Sequence, residues 1–204
     1  MKPIDKKGQG LVELIVSIAI IEVGLFSVWS LFLVNFNAVR EAEMRIVGVN
    51  LAREGIEAIK NIRDTNWLKV GNNEFSNQEQ TKIWTWDENL RAGEYAVNYD
   101  SADPTAISDG NDQLYLNDSG LYSNVKSESA KPTEYKRLIT LNDICCTDDN
   151  PHDFQCDDST YEILADSCPS GKLKIGINVV SDVSWQLSGR DRNAILEDNL
   201  YNWK

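Results

Sequence analysis

Hydrophobic positions fall into three successive regimes along this chain. Residues 11–36, LVELIVSIAIIEVGLFSVWSLFLVNF, form a run of 26 residues with no proline and no basic side chain. A membrane-spanning helix needs about 20 apolar residues. A cleaved secretory signal has an apolar region of only about 7–15 residues, followed by a small-x-small site. The run is longer than that, and NFNAVREAEMR beyond it has no A-x-A pattern. Residues 9–36 are therefore predicted to form a transmembrane helix. From Val39 to Ile62 the period becomes three to four. Val47, Leu51, Gly55, Ala58, Ile59 and Ile62 share one apolar or small face, and Glu41, Arg45, Arg53, Glu57 and Lys60 lie opposite. This predicts an amphipathic continuation of the helix over 37–67. Its helix-favouring composition ends near Asp64–Trp67, before Gly71-Asn72-Asn73.

Beyond residue 80 the period drops to two. Strands are predicted at Lys82–Trp86, Tyr95–Tyr99, Leu114–Leu116, Tyr135–Leu141, Leu173–Val180 and Ala194–Leu200. Turn-rich stretches such as DSADPTAISDGND and LNDSG separate them. One long helix followed by hairpin-spaced strands predicts an α+β fold, with an antiparallel sheet laid over the apolar stripe of the helix's second half. Residues 68–204 would form the β-rich globular domain.

Charge adds a direction. Lys2, Lys6 and Lys7 precede the apolar run, opposed only by Asp5. Basic residues beside an apolar segment favour the cytoplasmic side, so the N-terminus is expected in the cytoplasm and the C-terminal body outside it. The chain carries a net charge of −12. Such a surface repels phosphate backbones, and no nucleic-acid partner is expected.

The four cysteines are Cys145, Cys146, Cys156 and Cys168, all within 24 residues. In an oxidising compartment they can form two disulfides. A vicinal Cys145–Cys146 bridge would be strained. Two bridges joining Cys145 and Cys146 to Cys156 and Cys168 are the preferred reading, with the partner order open. C-x-x-C is absent, which disfavours zinc despite His152. Two groups of aspartates, Asp103, Asp109, Asp112 and Asp118, and Asp148, Asp149, Asp153, Asp157 and Asp158, do not match a calcium loop. They are read as solvated acidic loops. No metal or other cofactor is expected. With one histidine, no G-x-S-x-G and no phosphate-binding glycine loop, neither is an enzyme.

Glu13 disturbs this picture. A carboxylate at the centre of a bilayer costs at least ~2.5–3.5 kcal/mol. Its neighbours, Lys7-Gly8-Gln9-Gly10-Leu11-Val12-Glu13-Leu14 followed by the apolar run, resemble the class III signal of type IV pilins and pseudopilins. AREGIEAIKNIRDTNW (52–67), RAGEYAVNYD (91–100) and GINVVSDVSW…RNAILEDNLYNWK (176–204) add a weaker likeness to minor pilins of the type IV pilus modification protein class. The resemblance implies a basic leader, 1–8, with Lys6 and Lys7, cut after Gly8 by a prepilin peptidase. Gln9 becomes the first mature residue and is the site of N-methylation, and Glu13 is the fifth. It also implies pilin or pseudopilin neighbours, an inner-membrane assembly platform and a final place in a cell-surface filament.

The spacing has a physical reason. An N-terminal ammonium among apolar helices needs a counter-charge. A glutamate one turn along lies near its own amine and reaches a neighbour's when subunits stagger. Glu13 is thus expected to act in assembly. The chain departs from the family in having Gln9 where phenylalanine is usual; an N-terminal glutamine can cyclise and lose its charge, which weighs against N-methylation but not against cleavage. Proline, common partway along this helix, is absent, which leaves Gly24 as the weak point. Glu22 is a second carboxylate that the resemblance does not explain; a protonated side chain in lipid is the preferred reading. The competing reading of the whole chain is a tethered binding or adhesion module, which Trp84, Trp86, Trp185 and Trp203 allow, although core packing explains them equally well.

Overall fold

The computed structural model describes residues 9–75, 85–108, 110–146 and 161–202. The chain divides into two compact units, Met1–Met44 and Arg45–Lys204. Helix α1, Gln9–Phe75, is 67 residues long and contributes to both. It is uninterrupted at Gly24 and continues past the end expected near Asp64–Trp67. The correction has a simple cause. Leu68-Lys69-Val70 contains no proline, and one glycine at position 71 costs a helix only about 1 kcal/mol.

Eight strands follow: β1 Gly93–Ala96, β2 Thr105–Ala106, β3 Gln113–Leu116, β4 Tyr122–Ser123, β5 Lys131–Cys146, β6 Tyr161–Leu164, β7 Lys174–Leu187 and β8 Arg190–Tyr201. All pairings are antiparallel. The architecture is α+β, with α1 packed on a curled sheet. Strand β5 organises the sheet. Along one edge it pairs with β3, β1 and β6, and along the other with β7, which pairs with β8. Strands β7 and β8 meet at Ser188-Gly189, both with positive φ (52° and 73°). Such a two-residue turn matches the right-handed twist of the strands it joins.

Two expected strands need correction. Lys82–Trp86 was expected to be extended, but its first three residues lie outside those described and Trp86 opens a turn. There the Leu90 amide donates to the Asp87 carbonyl at 2.9 Å, and Asn89 takes φ 64°, a conformation asparagine tolerates. The expected strand Tyr95–Tyr99 stops at Ala96, and Tyr99 lies in a turn.

The core follows the predicted stripe. Ile56, Ile59 and Ile62 of α1 pack with Leu90, Val97, Ile139, Leu141, Ile177, Val179 and Leu200. Each fully buried aliphatic side chain contributes roughly 1.5–3 kcal/mol. Strands β5 and β7 alternate as a half-buried sheet requires: Arg137, Ile139 and Leu141 point inward, as do Ile177, Val179, Ser181, Val183 and Trp185. Two glycines set the distance between helix and sheet. A Cβ on Gly48 would stand 2.6 Å from the Trp185 ring, and one on Gly55 would stand 2.6 Å from Ile139 Cδ1.

Candidate functional site

The sequence directs attention first to the start of α1. Among the described residues its apolar side chains are exposed throughout this part, from Leu11 to Phe36. The helix is long and apolar enough to cross a membrane, and its most apolar window is 0% buried. Gln9 opens the helix, and Glu13 lies one turn later with its side chain exposed. Lys6, Lys7 and Gly8 lie outside the described residues. Two hydroxyls inside the run are satisfied by their own helix. Ser17 Oγ donates to the Glu13 carbonyl and Ser27 Oγ to the Val23 carbonyl, each at 2.8 Å. Glu22 is also exposed, and nine residues of helix place it about 180° around the axis from Glu13.

The unit Arg45–Lys204 contains two charged clusters that the period-two pattern did not single out. Arg137 points inward from β5 and is 2% exposed. Its guanidinium donates to the Leu51 carbonyl at 3.0 Å, to Glu54 Oε1 at 2.9 Å and to the Val97 carbonyl at 2.6 Å. One side chain thereby joins the helix, β5 and the segment after β1. A buried guanidinium needs such partners to offset its lost hydration. The signal was present in the sequence: position 137 shares the inward parity of Tyr135, Ile139 and Leu141.

The second cluster surrounds Lys174. Its ammonium lies 2.7 Å from Asp143 Oδ1 and 3.3 Å from Asp87 Oδ2, donates to the Leu90 carbonyl at 2.9 Å and sits 5.8 Å from the centre of the Trp86 ring. Asn66 of α1 donates to the carbonyls of Trp86 and Glu88. These contacts fasten the turn at Trp86–Leu90 onto helix and sheet. Across the outward face, Asn142 Nδ2 donates to Asn178 Oδ1, and Asn178 Nδ2 donates to Glu197 and Asn199.

A disulfide joins Cys145 to Cys168. Cys146 is also disulfide-bonded, and Cys156 lies outside the described residues. Both vicinal cysteines end β5, so they point to opposite faces and cannot share one partner. Of the acidic loops, Asp103 accepts from Asn89 and Asp112 pairs with Lys136 at 3.1 Å. Asp109 and the second aspartate group lie outside the described residues. Among the described residues no three His, Cys, Asp or Glu side chains converge as metal ligands do.

Trp185 packs against Tyr135, with ring centres 5.9 Å apart, and Tyr135 meets Tyr122 edge-on at 6.2 Å. Burial, then the neighbouring Tyr122 and Glu134, pushes the Tyr135 phenol from 10.0 up to about 12. Above this cluster lies an open groove of about 440 Å³, lined by Gln113, Thr133, Lys136, Ser184, Gln186 and Asp191 among others. Trp185 borders it but is 4% exposed, its ring turned toward Gly48 of α1. Trp84 and Trp203 lie outside the described residues.

Comparison of the chain with protein-family models, curated proteins and solved structures returns no match.

Proposed function

We propose that this chain is a structural subunit of a type IV pilus or a related secretion filament, of the minor pilin or pseudopilin kind. It is inserted with its N-terminus in the cytoplasm, cut after Gly8 and assembled through its N-terminal helix. The observation that carries this reading is the pairing of an exposed, uninterrupted apolar helix with a carboxylate one turn from Gln9. A simple anchor has no use for that carboxylate, which costs ~2.5–3.5 kcal/mol in lipid. A subunit whose new amine lies among neighbouring helices does. The acidic body, with net charge −12 for the whole chain, suits exposure to solvent.

The test is the N-terminal mass of the native protein from membranes or sheared filaments. A chain starting at Gln9, with or without one methyl group, supports prepilin processing. A chain starting at Met1 in cells that hold a prepilin peptidase rejects it. That second result favours a membrane-tethered binding module. The specific observation behind this alternative is the polar groove over Trp185, whose amide, hydroxyl and carboxylate groups suit a small polar ligand.

A further inference from the structure

We infer that the Glu22 side of α1 is a second assembly face, one that takes a different transmembrane helix bearing a lysine or arginine at matching depth. The inference rests on the filament reading above. Glu13 and Glu22 lie about 180° apart and about 13 Å apart along the axis. Their faces differ in kind. Gly10, Ser17, Gly24 and Ser27 share the Glu13 side with the bulkier Ile20 and Leu31, and both hydroxyls are spent on their own helix. A Cβ on Gly10 or Gly24 would meet nothing within 4 Å. Small residues of this kind let a second helix approach closely. Around Glu22 stand Ile15, Ile18, Phe26, Trp29 and Leu33, all exposed. A side on which glycines and serines interrupt the bulky residues admits a neighbour more closely than one that is bulky throughout, so the two sides favour different neighbours.

Charge identifies the partner. No basic residue lies between Leu11 and Phe36. At that depth each processed copy contributes one cation, the amine of Gln9, which lies one turn from Glu13. Glu22 is thirteen residues from that amine, about 20 Å along the helix, and its own Arg40 is about 27 Å away. An array of identical copies therefore holds two carboxylates for every amine. The surplus carboxylate is Glu22, and a partner helix with one basic side chain would balance it, in place of the protonation expected for it in lipid alone.

The experiment uses the full chain, isolated from membranes and reconstituted in phosphatidylcholine vesicles. The probe is a synthetic apolar helix of about 20 residues with one central lysine and a fluorescence acceptor; its control carries glutamine instead. Energy transfer from the tryptophans, of which Trp29 lies on the Glu22 face, reports association. The lysine helix is expected to bind about tenfold more tightly than the control. Glu22→Gln should remove that preference, and Glu13→Gln should leave it. Equal binding of the two helices overturns the inference, as does a preference lost with Glu13→Gln but kept with Glu22→Gln. Glutamine mimics an uncharged acid, so a silent Glu22→Gln change means that Glu22 is neutral and the inference is wrong. A mature N-terminus at Met1 overturns the filament reading separately, whatever the vesicles show.

Discussion

Arg137 crosses helix α1 where Gly55 leaves room for it. A Cβ at Gly55 would stand 3.2 Å from Arg137 Cδ, 2.9 Å from Ser181 Oγ and 2.6 Å from Ile139 Cδ1. The missing side chain lets the guanidinium reach the Leu51 carbonyl one turn earlier on the helix. Alanine is the better helix former by about 1 kcal/mol. Gly55→Ala is nonetheless expected to destabilise the protein by about 1–3 kcal/mol through overpacking. Urea unfolding of the detergent-solubilised chain measures this, and unchanged or raised stability would show that Ile139 and Ser181 move aside freely.

The Arg137–Glu54 pair is asymmetric. Arg137 is buried, while Glu54 is partly exposed. Glu54→Ala leaves the guanidinium with two carbonyl acceptors and should cost about 1–3 kcal/mol. Replacing the pair together, Arg137→Met with Glu54→Leu, removes the buried charge and should cost less than Glu54→Ala alone. A double-mutant cycle by urea unfolding checks the order, and a larger loss for the double variant would contradict it.

Reduction should loosen the end of β5. The Cys145–Cys168 bridge closes a loop with a sequence separation of 23. Loop entropy gives about 3 kcal/mol for a bridge of that span. A Cys145→Ala, Cys168→Ala variant should therefore melt earlier than the parent under oxidising conditions. Under full reduction the two should melt nearly alike, because the parent then lacks its bridges too.

Alkaline stability should depend on Tyr135. Its phenol ionises near 10.0 when exposed and near 12 in the fold. Below 10.0 both states hold the proton, and the group adds no pH dependence. Between those values the unfolded chain releases the proton first, so stability falls as pH rises. Tyr135→Phe should flatten that part of the stability–pH curve, read by urea midpoints between pH 10.0 and about 12. An identical slope in the variant would assign the alkaline loss to other tyrosines.

On the proposed filament reading, Gly24 separates folding from assembly. Nothing lies within 4 Å of its Cβ position, so Gly24→Ala should leave the fold intact and favour the helix by about 1 kcal/mol. If the Glu13 face packs closely against neighbours, the added methyl should reduce incorporation into sheared filaments while membrane levels stay normal. Immunoblots of the two fractions distinguish this from a harmless change.

Periodicity determined much of the molecule without any structure. A predominantly apolar run of 26 residues, then a stripe at steps of three or four, specified the helix and its buried face. Ile59 and Ile62 lie in the core as that stripe requires, because a helix repeats its faces every 3.6 residues whatever its partner. Tertiary structure alone decided the rest. The partners of Arg137 and Lys174 belong to this part, because their acceptors come from residues as distant as Leu51, Val97 and Leu90. The pairing of Cys145 with Cys168 was open for the same reason. Strand β5 was expected to end at Leu141 but runs to Cys146, because β6 and β7 hold both of its edges beyond that point. Backbone hydrogen bonds between strands depend on which chains meet, and sequence spacing does not carry that information.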